Sequence, residues 1–314
     1  MSRSPAVPLT VIGGFLGAGK TTLLNALLVQ AEARRIAVLV NDFGDLQIDA
    51  ALIAQRSATT IGLRNGCVCC SLAGGLINAL SEVLALDPRP DHVVVEASGV
   101  SDPRRIAQVA RVGAGFSPEA TLVVVAADQI ETLARDRYVG DTVIAQLAAA
   151  DLLILNKVDL VDQARKQLVI ECLKTHAPRA TLIEARHTDV PIEIALGSMP
   201  LSQRQSFEGV NESDHSDRFV ARVFQCATPI SKEKLHAVLD DLPRGVLRLK
   251  GFVRLNSNPE RVRLVQGVGT RWTISDAESD VEREGCALVV IGAKELLGDE
   301  HFLRMRQLFD HPQT

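Results

Sequence analysis

One stretch near the start of the chain constrains the fold more than any other. It runs from Gly13 to Thr22 as GGFLGAGKTT, and from Gly14 it has the spacing GxxxxGKT. An apolar run, Val7 to Ile12, precedes it, and leucines at helical spacing follow it. A phosphate-binding loop requires this position between a strand and a helix. The stretch therefore predicts an α/β domain that binds a nucleoside triphosphate.

Each residue type in this loop has a chemical reason. Glycines let the backbone wrap closely around an anion, so that successive N–H groups point inward at the positive end of the following helix. Lys20 is predicted to reach the β- and γ-phosphates, and the Thr21 hydroxyl is predicted to hold Mg²⁺. The predicted nucleotide contacts of the loop are Gly14, Gly17, Ala18, Gly19, Lys20, Thr21 and Thr22. A strand-to-helix turn without a ligand is the alternative, and the adjacent Lys-Thr pair disfavours it.

Short apolar runs and amphipathic segments alternate over the first 196 residues. The further runs lie at 36–40, 92–95, 122–126 and 152–155. Unalternating runs of this length are typical of strands that are buried on both faces of a parallel sheet. We therefore predict a doubly wound, mainly parallel sheet of the P-loop NTPase type. Ligands of such sheets bind at the carboxyl ends of the strands.

Acidic residues follow two of these runs. Asp42 comes after the second run and could bind Mg²⁺ or orient the attacking water, although an Asp-containing turn explains it equally well. Glu96 ends the third run, three residues before Gly99, as in P-loop proteins where an acid holds Mg²⁺ and a glycine amide senses the γ-phosphate. The next residues, 98–103, are interpreted as a switch loop and, at Asp102, as a helix N-cap. The predicted catalytic residues are Lys20, Asp42 and Glu96. Thr21 and Glu96 are the predicted Mg²⁺ ligands, and the longer side chain of Glu, compared with the commoner Asp, favours a water-bridged contact for Glu96 over direct ligation.

The base is predicted to be guanine. Asn156-Lys157-Val158-Asp159 follows an apolar strand and matches the pattern NKxD. A carboxylate such as that of Asp159 can accept two hydrogen bonds from the N1 and N2 groups of guanine, which adenine cannot supply. GTP and GDP are therefore the predicted nucleotides, with Asn156, Lys157 and Asp159 at the base. A later stretch, 183–186, could add a backbone contact to the guanine O6.

Three cysteines fall within four residues, at Cys67, Cys69 and Cys70. Thiolates bind Zn²⁺ or Co²⁺, and the bound metal keeps them deprotonated. A structural zinc site would need a fourth ligand from a second pair. The remaining cysteines are single residues and are interpreted as buried apolar fillers: Cys172, Cys226 and Cys286. The cluster thus predicts an exchangeable metal site, and redox chemistry of neighbouring thiols is the alternative.

Composition excludes several classes of partner. A net charge of −4 and a pI near 6.0 leave no basic footprint for nucleic acid. No apolar segment approaches the roughly 20 residues that span a membrane, and the N-terminus lacks the pattern of a secretory signal. We therefore expect a cytoplasmic protein whose thiols stay reduced.

The motifs GGFLGAGKTTLL, NDFG, NGCVCC, EASGVSDP and NKVD, in this order, closely resemble those of the CobW-type metallochaperone GTPases, relatives of HypB and UreG. The resemblance covers most of the chain. It implies a slow GTPase that binds a transition metal at the CxCC element and releases it to a client protein when the nucleotide state changes. By this resemblance, the metal thiols are those of Cys67, Cys69 and Cys70.

Two departures from the family pattern concern the metal. Some members carry a Glu ligand where this chain has Val40, so a carboxylate ligand would have to come from Asp42 or Asp45. The long histidine-rich stretch of many members is also missing from the sequence. Asp214 and His215 are a possible remnant of it, but a solvated linker is the favoured interpretation of residues 197–217.

The sequence predicts three segments: a GTPase domain over 1–196, a linker over 197–217 and a C-terminal domain over 218–314. Alternating strands in the last segment predict an α+β domain with an antiparallel sheet covered by helices, similar to the C-terminal domain of the CobW family. We expect this domain to recognise the client, and the chain to be a monomer or weak homodimer.

The predicted mechanism couples the two sites. Mg²⁺·GTP would order the loops that carry Asp42 and Gly99, which flank the cysteine cluster in sequence. GTP should then tighten metal binding, and metal should tighten GTP binding by the same factor. No glutamine or arginine finger is identifiable, so slow turnover is expected. A redox-sensing or regulatory GTPase without a metal cargo is the alternative.

Overall fold

A computed structural model of the chain describes residues 6–31, 34–40, 60–63, 72–112, 115–197, 218–225, 228–277, 286–297 and 302–310. The contacts divide the chain into two units, Met1–Leu196 and Gly197–Thr314. Within the described residues, no helix has both the length and the apolar character needed to cross a membrane.

The first unit is built on a seven-stranded sheet in which every pair of neighbours is parallel. Its strands are β1 (Val7–Gly13), β2 (Ile36–Val40), β3 (Thr60–Leu63), β4 (His92–Glu96), β5 (Phe116–Ala126), β6 (Leu152–Asn156) and β7 (Thr181–Glu184). They lie in the order β3-β2-β4-β1-β5-β6-β7. Its helices are Lys20–Gln30, Leu72–Leu84, Pro103–Val112, Ile130–Ala134, Gly140–Ala148, Gln163–His176 and Ile192–Ala195. The predicted doubly wound parallel sheet is confirmed.

Helices cover both faces of the sheet, which explains the unalternating apolar strands. All five residues of β4 and all five of β6 are buried. Val93 and Val95 of β4 pack in one core cluster with Leu80 and Ile106 from two of the helices. Full burial of such a side chain contributes about 1.5–3 kcal/mol relative to exposure. The sheet is therefore a rigid base for the loops at its ends.

The register of the strands determines which residues meet at the carboxyl edge. Ile12 of β1 lies opposite Glu96 of β4, and Gly13 lies opposite Val123 of β5. Ala126 of β5 in turn lies opposite Asn156 of β6. The end of β1, Glu96 and Asn156 thus reach the same edge of one continuous sheet, from segments that are far apart in sequence.

The second unit contains a five-stranded antiparallel sheet in the order β11-β10-β9-β12-β8. The strands are β8 (Phe219–Gln225), β9 (Val246–Leu255), β10 (Asn258–Val268), β11 (Arg271–Asp276) and β12 (Ala287–Ala293), and the helices are Lys232–Asp240 and Leu303–Asp310. Leu249 and Val290 of the sheet share a core with Leu235 and Phe302 of the helical segments. The predicted α+β fold is confirmed. Lys294–Leu296 forms a short 3₁₀ turn directly after β12.

Candidate nucleotide-binding site

The loop between β1 and helix Lys20–Gln30 has the backbone of a phosphate-binding loop. Gly14, Gly17 and Gly19 have φ angles of 133°, 73° and 109°, which residues other than glycine rarely adopt. A Cβ on Gly14 would lie 2.3 Å from the Val124 carbonyl oxygen, and one on Gly19 would lie 2.6 Å from Asn156 Nδ2. A Cβ on Gly17 would meet nothing within 4 Å among the described atoms. The outer two glycines are thus needed for packing, whereas Gly17 borders open space.

Lys20 is the first residue of the helix, and its side chain folds back over this loop. The residue is only 8% exposed, and Nζ donates a hydrogen bond to the Phe15 carbonyl oxygen at 3.3 Å. Within the part of the chain that the structure describes, no side chain caps the first turn and no acidic residue lies in it. The positive end of the helix dipole and the ammonium group therefore add their fields at the loop, which favours an anion there.

Thr21 and Glu96 form the second polar pair of the site. Thr21 Oγ1 donates to Glu96 Oε1 at 2.8 Å, and Glu96 is 3% exposed. The register of β1 and β4 holds the carboxylate directly beside the start of the helix. A hydroxyl and a carboxylate oxygen in contact are hard ligands of the kind that Mg²⁺ prefers. The side chains present therefore fit the predicted ion.

The loop after Glu96 lies against the phosphate loop. A Cβ on Gly99 would lie 2.9 Å from the Leu16 backbone nitrogen, so there is no room for a side chain between the two segments. Gln146, from helix Gly140–Ala148, donates to the carbonyl oxygens of Gly99 and Ser101, each at 3.0 Å. Asp102 accepts from the Arg104 N–H at 2.9 Å, as expected of the predicted N-cap of helix Pro103–Val112. No sequence pattern identifies Gln146, because its partners lie 45 and 47 residues away.

Asn156 connects three segments of the site. It is 4% exposed, its Nδ2 donates to the Ala18 carbonyl oxygen at 3.0 Å, and its Oδ1 accepts from the Thr188 N–H at 3.2 Å. Lys157 follows with a φ of 58°, and Asp159 lies in the 3₁₀ turn Val158–Leu160. The amide of Asn156 thus fixes the phosphate loop relative to the segments on both sides of the predicted base site.

The turn at His187 and Thr188 was not singled out from the sequence. Both residues have left-handed φ angles, 52° and 58°, and the β-branched Thr188 is fully buried. Such a conformation costs of order 1–3 kcal/mol and persists only where the surroundings enforce it. Ala185, within the stretch proposed to contact guanine, uses its N–H in a hydrogen bond to the Leu155 carbonyl oxygen at 2.8 Å. The strained turn therefore lies just beyond the end of the sheet ladder, beside Asn156.

Several predicted site residues lie outside the described residues. They are Asp42, Asp45, Cys67, Cys69, Cys70, Asp214 and His215. Where the structure does describe side chains, no group of three His, Cys, Asp or Glu residues could hold a metal ion. Cys286 is buried, as predicted, whereas Cys172 is only half-buried, and Cys226 lies outside the described residues. Burial raises the pKa of the Cys172 and Cys286 thiols.

Comparison with known proteins places the chain in a class. Residues 8–184 match the family model of the CobW/HypB/UreG nucleotide-binding domain, and residues 219–302 match that of the cobalamin synthesis protein cobW C-terminal domain. The chain therefore belongs to the CobW/HypB/UreG family of P-loop proteins.

Individual relatives are similar over nearly their whole length. The chain is 32% identical to the zinc chaperone CobW of a Sinorhizobium species, over 92% of this chain and 94% of that protein. It is 30% identical to the zinc chaperone YjiA of Escherichia coli, over 91% and 94%. Among solved structures, the Zn(II)-bound YjiA GTPase from E. coli aligns over 99% of this chain and 100% of that chain, with 21% identity and a TM-score of 0.45.

Proposed function

We propose that this protein is a GTP-dependent metallochaperone. It binds a transition metal, Zn²⁺ or Co²⁺, through Cys67, Cys69 and Cys70 and delivers the metal to a client protein as it slowly hydrolyses GTP. The observation that carries the nucleotide half is the convergence of Lys20, the Thr21–Glu96 pair and Asn156 at one edge of the sheet. The names of two relatives, both of which are called zinc chaperones, support the metal half.

The proposed roles at the phosphates follow from the positions of the side chains. Lys20 and the helix N-terminus offset the charge of the β- and γ-phosphates, and the Thr21 hydroxyl and Glu96 hold Mg²⁺. When bound, Mg²⁺ supplies further neutralisation of the charge on the phosphate oxygens. The Gly99 amide is proposed to contact the γ-phosphate, and Asp42 to orient the attacking water. Asp159 and Lys157 are proposed to bind guanine on the frame that Asn156 holds.

The metal is proposed to be cargo. Zn²⁺ is favoured because the relatives at 32% and 30% identity are named zinc chaperones. Three thiols suit a soft or borderline ion, and an incomplete ligand set leaves a position through which the metal can pass to another protein. The second unit is proposed to recognise the client. The proposal requires a reducing compartment, since oxidised cysteines do not bind metal.

The test is a Zn²⁺ titration of the purified protein with Mg²⁺ and either GTP, a non-hydrolysable GTP analogue or GDP. The expected result is tighter Zn²⁺ binding with GTP or the analogue than with GDP, and a rise of the GTP:GDP affinity ratio by the same factor when Zn²⁺ is bound. The triple variant C67S/C69S/C70S should lose tight Zn²⁺ binding and keep its nucleotide affinity. The single variants C172S and C286S are matched controls and should bind Zn²⁺ as the wild type does.

Two results would contradict this proposal. Equal Zn²⁺ affinity in the GTP and GDP states would remove the coupling between the sites. Loss of free thiols with mild oxidant, without any bound metal in the reduced protein, would favour a redox-sensing GTPase instead.

A further inference from the structure

Gln146 is a buried amide whose two N–H donors both point at one loop. The residue is 2% exposed, and its Nε2 donates to the carbonyl oxygens of Gly99 and Ser101, each at 3.0 Å. Burying an amide is costly unless it is hydrogen-bonded, so the two bonds stabilise this arrangement relative to any position of the loop that breaks them. An apolar residue would be the ordinary choice on this buried face, which it shares with Val143 and Leu147.

The same loop is fixed from other directions. Gly99 lies so close to the phosphate loop that a Cβ on it would be 2.5 Å from Leu16 Cδ2 and 2.9 Å from the Leu16 backbone nitrogen. The Ser101 N–H donates to the Ser98 carbonyl oxygen at 3.0 Å, which closes a tight turn. Arg104 Nη2 donates to the Ala145 carbonyl oxygen at 3.2 Å, next to Gln146. Residues 98–101 are therefore held between the phosphate loop on one side and helix Gly140–Ala148 on the other.

We infer that Gln146 is a positioning residue for the γ-phosphate. The Gly99 N–H belongs to the same planar peptide unit as the Ser98 carbonyl group, which accepts from the Ser101 N–H. Gln146 fixes the Gly99 and Ser101 carbonyl groups, so the turn is held on both sides of Gly99 and the positions of its amide are limited. Gln146 thereby holds that amide at a set distance from the phosphate loop. The inference rests on the proposed function, because it concerns the phosphate that distinguishes GTP from GDP.

This role predicts a selective effect on GTP. Only GTP has a γ-phosphate for the Gly99 amide to contact, so loosening the turn should weaken GTP binding and slow hydrolysis while GDP affinity is kept. A purely structural role for Gln146 would change stability and leave the ratio of the two affinities unaltered. The ratio of GTP to GDP affinity is therefore the informative quantity.

The first variant is Gln146→Met, which keeps the length of the side chain and removes both donors. The assays use the full-length protein without transition metal and with added Mg²⁺. We expect the GTP:GDP affinity ratio and the kcat for GTP hydrolysis each to fall about tenfold. The control is Thr10→Val, which removes a different buried hydrogen bond, the one to His92 at 2.9 Å in the middle of the sheet. Thr10→Val should lose about as much stability as Gln146→Met does, and its GTP:GDP affinity ratio should stay at the wild-type value.

The second variant is Gln146→Glu, which keeps the shape and makes the donor depend on pH. Burial and the two facing carbonyl oxygens raise the pKa of the new carboxyl group, and only its protonated form can donate. The affinity ratio should therefore be low at about pH 8 and recover part of its value at about pH 6. The ratio for Gln146→Met should show no such recovery beyond the pH dependence of the wild type.

A folded Gln146→Met protein with the wild-type affinity ratio and kcat would overturn the inference, as would a Gln146→Glu protein whose ratio follows that of the wild type at every pH. The Glu variant alone decides the matter if the Met variant does not fold. In both cases the wild type would still bind and hydrolyse GTP, and the proposed function would stand. A wild-type protein that binds neither GTP nor GDP would overturn the proposed function and the inference together.

Discussion

Two polar clusters lie along strands β1 and β4. Comparing the two clusters shows what distinguishes a ligand-binding site from buried polar packing. In the amino-terminal half, Thr10 Oγ1 lies 2.9 Å from His92 Nε2, and His92 Nδ1 lies 3.8 Å from Glu119 Oε2. At the carboxyl end, Thr21 Oγ1 lies 2.8 Å from Glu96 Oε1. Both clusters contain a threonine hydroxyl and a carboxylate that is less than 9% exposed.

The difference lies in the backbone that carries the side chains. Thr10, His92 and Glu119 all come from paired strands of one sheet, so their neighbours are other strands. Thr21 comes from the start of a helix, behind a loop whose glycines have left-handed φ angles and border open space at Gly17. Buried polarity alone therefore does not identify a ligand site. A helix start beside that polarity does, because the first N–H groups of a helix have no acceptor within the helix itself.

The largest effect is expected from Lys20→Ala. Removing the ammonium group that folds over the loop should lower GTP and GDP affinity at least about 100-fold, because a charge placed at the phosphates is lost. Fluorescent-nucleotide titration measures this change. The matched control is Lys232→Ala, which removes an exposed lysine that is also the first residue of its helix, in the second unit. Wild-type affinity in Lys20→Ala would mean that the loop is only a turn.

Replacing the carboxylate of each cluster, Glu96 or Glu119, by an amide tests whether the two clusters differ in function. Glu96→Gln should raise the Mg²⁺ concentration needed for GTP hydrolysis by about 10- to 100-fold, since a neutral amide replaces the charged group beside Thr21. Glu119→Gln should leave the Mg²⁺ dependence unaltered. GTPase assays over a range of Mg²⁺ concentrations test both variants. Equal behaviour of the two would show that the clusters do not differ in function.

A smaller effect, on stability alone, is expected from Thr10→Val. The variant keeps the shape of the side chain and leaves His92 without the hydroxyl, which should lower the free energy of unfolding by about 1–2 kcal/mol. Urea denaturation followed by circular dichroism measures the loss. Nucleotide affinity should stay at the wild-type value. A selective loss of GTP binding would show instead that the amino-terminal cluster contributes to the nucleotide site.

The smallest effect is expected at the surface beside the amino-terminal cluster. Although partial burial alone would raise the pKa of Asp91, hydrogen bonds and the charge of Arg35 lower it below its ordinary value of 3.8. The ionised pair therefore stabilises the fold above that value and stops doing so as pH falls through the lowered pKa. Asp91→Asn should lower thermal stability slightly at pH 7 and not at about pH 2. A pH-independent difference would contradict this reasoning.

Local patterns predicted most of the framework. Apolar runs identified β1, β2, β4 and β6, because each is buried on both faces and has no polar alternation. The first half of β5 was missed, since Ser117 and Glu119 interrupt its apolar pattern around an irregularity in the register with β1. A strand that carries a buried carboxylate cannot be recognised as a core strand from sequence alone.

The candidate site was predicted where its residues are adjacent in sequence. The phosphate loop and the NKxD stretch have fixed spacings that reflect local backbone geometry. Gln146 and Thr188 have no such spacing, because their roles come from contacts to Gly99 and Asn156 that only the folded sheet creates. The roles of the cysteines in the CxCC element stay predictions.

Helix Lys20–Gln30 links the phosphate loop to the interior of the domain. Its residues Leu23, Leu24 and Leu27 have no exposed surface. Opening the loop by more than a local adjustment would pull these side chains out of the core, so occupancy by nucleotide should govern how often the domain unfolds. A ligand at 100 times its Kd adds about 2.7 kcal/mol to the free energy of unfolding. In a cell depleted of nucleotide, this protein should therefore unfold more often and be degraded faster than when nucleotide is abundant.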